Sequence, residues 1–452
     1  MILAYVPSQC QDTKLTDSYK KDVILKLNQL MNDHYVFPEV ASATSDHLLK
    51  EFEAGNFSSH KTHTEFAEAL TTAVRSINHD KHMRIRKNEA YEAPENTPQR
   101  MIEEKLDGLD RYKWYNVGFL EAKVMKGNIG YLSLSGFARV HEGKLIADAY
   151  MSLIERTDAV IIDLSQNGGG DPAMVQYLCS YFFDEKVHLN SLYYRKDNRT
   201  IDFWTLDEVG GKKMPDVPLY VITGSRTFSG AEEFSYNMQT QKRATLIGQT
   251  TGGGANPGNT MTIDDSLHVF IPTGRAINPI TQTNWEGVGV VPEMKVPQEE
   301  ALDSAITLAL EGAKTYREAL RKKNTETFMK LHSKLVTYKK EVSEEEVHSH
   351  MVDCVDAGIL NEYDINALGY EFLMEYKKPH LAMCIFRSNK MLSPDSANAY
   401  DSYAESLAAI GENKKSLENY DKAVELATIA EAPDLEMYQK NRDAAKKKMG
   451  EK

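Results

Sequence analysis

Residues 219–234 read LYVITGSRTFSGAEEF: an apolar run, a glycine–serine turn, then residues of helical character. Leu219–Ile222 predicts a strand, and Ala231–Gln239 predicts a helix. A serine at such a junction sits where backbone N–H groups point outward and stabilise negative charge. Ser225 and Ser229 both qualify. Either can simply cap the helix, and either can be a nucleophile. The same texture recurs from about 128 to 297. Ile129–Leu134, Ala159–Leu164 and Ala244–Ile247 are further short apolar runs, and Ala173–Phe183 is a further helical stretch. Strand–helix alternation implies an α/β domain with a largely parallel sheet. Glycine-rich turns follow its strands at 167–171, 225–230 and 248–254. Loops leaving the C-terminal strand ends carry the chemistry of such sheets.

The flanks read differently. From about 16 to 80, Val23, Leu27, Leu30 and Met31, then Phe66, Leu70 and Val74, recur at helical spacing. Residues 84–127 are mixed and polar, with Pro94 and Pro98 expected to break any helix. Beyond about 300 the chain is helical again. Tyr370, Leu373, Ala382 and Phe386 align with Ala404, Leu407, Ser416 and Tyr420, each 34 residues on. That period resembles the tetratricopeptide repeat, and a plain helical bundle is the alternative.

Composition bounds the function. A chain of 452 residues is long enough for two to four domains. With 41% hydrophobic residues and 26% charged, it is globular. A net charge of −13 argues against nucleic-acid binding. No run of about 18 apolar residues predicts a membrane span. The opening MILAYVPSQC is an ordinary terminus or the stump of a signal peptide. Cys10, Cys179, Cys354 and Cys384 show neither disulfide-scaffold nor zinc-module spacing, so no metal or other cofactor is expected.

Two further segments can do chemistry. DLSQNGGGDP, 163–172, places three glycines after a buried strand; it lacks the Lys-Ser/Thr of a phosphate loop, leaving an oxyanion hole or a tight turn. Asp171 and Pro172 read as a helix cap and first-turn proline. A serine nucleophile needs a base, and the chain has 13 histidines. His82, in INHDKHMRIR, follows the N-terminal helices and precedes an alternating, strand-like stretch.

Together these segments resemble the C-terminal-processing (tail-specific) protease family. DLSQNGGG is similar to its DLRxNxGG loop, with Ser165 in place of Arg, and TFSGAEEF to its nucleophile segment. RATLIGQTTGGGANPG and PTGRAINPITQTNWEGVGVVPEMKV are similar to its following GxxTxG segment and its C-terminal strand pair. The resemblance runs from about 16 to 310. Two departures select the branch. The Lys of the family's Ser–Lys dyad is replaced by Gly254, and the 45 or so residues between His82 and Asn128 leave no room for a PDZ domain. Both point to the branch of tricorn protease and the interphotoreceptor retinoid-binding protein.

That resemblance implies a ClpP/crotonase-like α/β core at 118–310, a helical lid at 16–84 and a connecting segment at 85–117; the 34-residue period adds all-α tetratricopeptide-like repeats at 325–452. It implies a serine peptidase with Ser229 as nucleophile, His82 as base and Glu286, in WEGVGV, as the carboxylate that orients the base. Gly169 or Gly170 and the N–H of Gly230 are the implied oxyanion donors. The auxiliary serine of the tricorn-type site has no match; either Asp80 or Ser76 substitutes, or Glu286 acts alone. Trp285 and Arg275 are expected to pack beside the carboxylate, and Glu232 and Glu233 to meet the helix dipole. The expected substrate is a peptide or unfolded chain, the repeats would dock a partner, and the family is usually exported. The rivals are a non-catalytic carrier of apolar ligands and a repeat-based scaffold.

Overall fold

The computed structural model describes residues 15–88, 98–336 and 344–450, and the counts below refer to these. The opening decapeptide with Cys10, and Pro94, lie outside them. The chain divides into two compact units, 1–316 and 317–452.

The first unit begins with three helices, α1 (Asp17–His34), α2 (Pro38–Glu53) and α3 (His63–Asn78). Thr62 and Glu65 close a reciprocal capping box on α3. His79 then adopts a left-handed conformation (φ 55°) that turns the chain out of the helix. It leads directly into strand β1 (Arg84–Lys87). Helix α4 (Pro98–Trp114) follows, which corrects the expectation of a helix-free connection at 85–117. Pro98 opens this helix: its fixed φ and missing N–H suit a first turn, where no intrahelical donor is needed.

The main sheet then assembles from β2 (Phe119–Met125), β3 (Ile129–Leu134), β4 (Ala159–Asp163), β7 (Leu219–Thr223), β8 (Ala244–Gly248) and β12 (Met294–Lys295). Its order is β12-β8-β7-β4-β3-β2, parallel throughout except for the β2–β3 pair. Side chains alternate between two covered faces, which explains the uninterrupted apolar runs. Val160 and Ile162 pack with α5 (Val140–Ile154), α6 (Pro172–Ser180) and α7 (Gly230–Thr240). Ala159 and Ile161 pack against the alanine ridge Ala301, Ala305, Ala309 and Ala313 of α8 (Gln298–Val336). Asp163 pairs with Ile222, and Thr223 with Gly248. The loops after β4, β7 and β8 therefore leave one sheet edge side by side.

Two smaller antiparallel sheets complete the unit. One joins β5 (His188–Tyr194), β6 (Arg199–Trp204) and β11 (Gly274–Ile277). In the other, β10 (Leu267–Pro272) sits between β1 and β9 (Gly258–Thr262). Ile263, Leu267, Val269 and Ile271 share one apolar cluster with Leu27, Phe66 and Leu70 of the N-terminal helices. The expected separate helical lid is thus continuous with the core, because core residues complete its interior.

The second unit holds α9 (Glu344–Asp356), α10 (Glu362–Tyr370), α11 (Pro379–Leu392), α12 (Ala397–Ala409), α13 (Asn413–Ile429) and α14 (Leu435–Gly450). Helix α13 begins 34 residues after α11, and α12 begins 35 after α10. Ala382, Phe386, Ala404, Leu407, Ser416 and Tyr420 are all buried. Cys179 in the first unit, and Cys354 and Cys384 in the second, are buried. Among the described residues, no helix is long and apolar enough to cross a membrane.

Candidate active site

Ser229 is the N-cap of α7 and has φ 55° and ψ −121°, a conformation rare outside glycine. The turn before it is pinned to the β4 loop. Thr227 donates from Oγ1 to the Leu164 carbonyl (2.7 Å), and Phe228 N–H donates to the Asn167 carbonyl (3.0 Å). These bonds anchor the loop in which Ser165 replaces the family arginine. Ser225 lies exposed, five residues ahead of the helix start.

The glycine loop meets Ser229 at close range. A Cβ on Gly169 would lie 2.8 Å from Ser229 Cβ and 2.7 Å from Gly230 N, so only glycine fits there. Gly169 N–H donates to Asn167 Oδ1 (2.8 Å), and its carbonyl accepts from Phe137 N–H. Among the described residues the N–H groups of Gly170 and Gly230 have no acceptor. They are neighbours, since a Cβ on Gly230 would lie 3.1 Å from Gly170 N. On the Gly169 side a recess of about 570 Å³ opens between Tyr115, Val117 and Phe137.

His82 arrives from the turn after α3. Its N–H donates to Asp80 Oδ1 (3.0 Å), and its ring packs on Phe228 (centroids 4.6 Å apart) and Phe270 (5.9 Å). One ligating atom each of Asp80, His82 and Glu286 lie within 4.8 Å of one another. Asp80 is fully buried and accepts from Asn256 Nδ2 (3.0 Å) and the Tyr35 hydroxyl (3.4 Å). Glu286 Oε2 accepts from the N–H groups of Ala255 (2.6 Å) and Asn256 (3.2 Å). His82 Nδ1 and Glu286 Oε1 are both buried without a hydrogen-bond partner. Among the described residues no hydrogen bond joins the Ser229 hydroxyl to His82. Ser76 lies exposed on α3, donating to the Ala73 carbonyl and facing His47, apart from this group.

Sequence reasoning missed what joins the serine and histidine halves. Glu232 is fully buried. Its Oε2 accepts from Ser229 N–H (2.9 Å) and Gly254 N–H (2.8 Å), and its Oε1 from Gly253 N–H (2.6 Å) and the Thr251 hydroxyl. One oxygen thus holds both the elbow and Gly254. A Cβ on Gly254 would lie 2.6 Å from His82 Cε1 and 2.2 Å from a Phe228 ring carbon. The histidine ring therefore occupies the space into which any side chain at 254 would project. The available signal was the spacing: Ser229 and Glu232 stand in the S-x-x-E pattern of a capping box, whose glutamate reaches back to the cap N–H. Trp285 Nε1 donates to the Gly254 carbonyl (2.8 Å), and Arg275 lies over the Phe37 and Tyr193 rings.

Burial governs the electrostatics. It pushes the His82 imidazole down to about 4, with Arg75 adding to the effect, so His82 is neutral at pH 7 and free to take a proton. Burial raises both Asp80 and Glu286, and the Asp80 charge raises Glu286 further. Burial likewise raises Glu232 against its four hydrogen bonds, and Glu233 to about 7. By donor type, Asp80, His82 and Glu286 could also hold a divalent cation.

Residues 128–296 match the model of peptidase family S41, and residues 16–109 match that of the N-terminal domain of peptidase S41 in eukaryotic IRBP. A carboxyl-terminal-processing protease of Picosynechococcus sp. is 24% identical over 195 residues, 42% of this chain and 44% of that protein. The chain thus spans less than half the length of this curated relative. Among solved structures, a Parabacteroides merdae protein described as a candidate peptidase gives a TM-score of 0.47 at 16% identity, covering 64% of this chain and 96% of that one. The photosystem II D1 C-terminal processing protease gives 0.41 at 12% identity, covering 62% and 94%.

Proposed function

Because the chain belongs to peptidase family S41, we propose that it is a serine peptidase acting on peptides or unfolded chains through Ser229, His82 and Glu286. The observation that carries this reading is the shared Glu232 oxygen, which places the strained Ser229 elbow and the His82-contacting Gly254 on one tether. Ser229 Oγ attacks the carbonyl carbon while neutral His82 takes its proton. During the reaction the two buried orphans, His82 Nδ1 and Glu286 Oε1, pair through one N–H···O bond, which fixes the tautomer and stabilises the imidazolium. Gly170 and Gly230 N–H receive the oxyanion, since Gly169 N–H already serves Asn167. The imidazolium then protonates the leaving amine, and water releases the acyl group by the reverse steps. Asp80, buried beside the same ring, takes the auxiliary place rather than Ser76.

A fluorophosphonate probe tests the reading. It is expected to label Ser229 in the full chain and to fail on Ser229→Ala. Absence of an adduct, with a control hydrolase labelled normally, overturns it and favours a carrier. The near-34-residue helix spacing supports tetratricopeptide-like repeats in the second unit, which we assign to docking a partner. Removing 317–452 should then abolish partner capture and spare cleavage of short peptides.

A further inference from the structure

A second recess, of about 300 Å³, adjoins His82 on the side of strand β1. Its wall carries Arg75, Lys81, Arg84 and Arg86 beside His82 and Phe228, and among the described residues no carboxylate lines it. In a chain of net charge −13, four gathered cations are a costly arrangement. Two of them are engaged: Arg75 Nε donates to the Met83 carbonyl and Lys81 Nζ to the Gly252 carbonyl. Arg84 and Arg86 are exposed and have no acceptor among the described residues. They stand two apart on β1, so their side chains leave the same face of the strand about 7 Å apart. That is the repeat of side chains along an extended peptide.

The chemistry assigns the recess a side. The base that deprotonates the serine later protonates the leaving amine, so the leaving segment lies over His82 and the acyl segment over the glycine loop. We propose that this recess, given the peptidase reading above, selects substrates whose leaving segment carries carboxylates, held by Arg84 and Arg86. Guanidinium pairs with carboxylate through two parallel N–H···O bonds, a geometry amide side chains do not reproduce. The carboxylates come from acidic side chains or from the chain end, and the test separates the two.

Four peptides share one neutral acyl segment. Their leaving segments carry two Glu or two Gln, each with a free or an amidated C-terminus. The intact protein is expected to cleave the amidated Glu peptide about tenfold better in kcat/KM than the amidated Gln peptide at low salt, with the ratio shrinking in high salt. In Arg84→Gln/Arg86→Gln the ratio should fall to about one, and Arg84→Lys/Arg86→Lys should restore part of it, which controls for misfolding. A preference that follows only the free terminus assigns the site to the chain end. Equal handling of all four peptides, or a preference that survives the double Gln variant, overturns the proposal. If no peptide is cleaved, the peptidase reading fails separately. Fluorescence anisotropy on the same peptides then decides: tighter binding of the anionic ones, erased by the double Gln variant, supports the recess, and equal binding sinks it.

Discussion

Glu232 and Glu286 serve the two ends of one six-residue loop, and the fold treats them in opposite ways. Glu232 accepts four hydrogen bonds and has no oxygen to spare. Glu286 accepts two on one oxygen and keeps the other buried and unpartnered. Within the loop, Thr251, Gly253 and Gly254 donate to the first carboxylate, and Ala255 and Asn256 to the second. A saturated carboxylate holds geometry; a half-saturated one keeps an oxygen for a further partner, which under the proposed mechanism is the His82 imidazole. On that reading the serine side of the site is built as structure, and the histidine side as machinery.

That contrast can be broken in several ways. The largest effect is expected from Glu286→Gln, which should lower kcat for peptide cleavage by about 10²–10⁴-fold, as loss of an orienting carboxylate does. Its folding stability, read by urea titration, should change little or rise, since a poorly paired buried carboxylate is removed. Glu232→Ala should do the reverse in kind. Four buried donors lose their acceptor, so stability should fall by about 3–5 kcal/mol, and a soluble, stable, fully active variant would refute the structural role. Gly254→Ala forces a methyl against His82 and Phe228. About 1–3 kcal/mol of stability and most of the activity should go together, measured by thermal melting and peptide turnover.

Smaller effects sharpen the same picture. His82 has a folded pKa near 4, below its unfolded value of 6.5. Its contribution to stability is therefore present above pH 6.5 and lost as pH falls toward 4, because the unfolded state then binds the extra proton. His82→Phe should flatten that limb of a melting-temperature profile, and kcat/KM of the native chain should hold its acid limb well below the usual imidazole range. Chelation is expected to do least. If Asp80, His82 and Glu286 relay a proton, EDTA leaves peptide cleavage unchanged, whereas a loss restored by added divalent ion would assign the trio to a metal.

Much of this molecule could be read from residue types. The two-faced apolar runs, the serine elbow and the Asp171–Pro172 helix start all leave local signatures, and the structure places them where the sequence reading did. The Glu232 tether left a weaker one, because three of its four donors are backbone N–H groups, which any residue supplies. Sequence left Asp80 level with Ser76 for the auxiliary place; the turn at His79 and the long-range bond from Asn256 bring Asp80 to the site. Continuity of the N-terminal helices with β9 and β10 was also hidden, since Ile263, Leu267, Val269 and Ile271 lie nearly two hundred residues from the helices they cover.

The contact between Gly254 and His82 makes this pocket exclusive. A Cβ at 254 would lie 2.6 Å from His82 Cε1, so a long side chain at 254 and a histidine at 82 compete for one volume. The pocket admits one of the two, and a lysine delivered from 254 requires a small residue at 82 in the same chain.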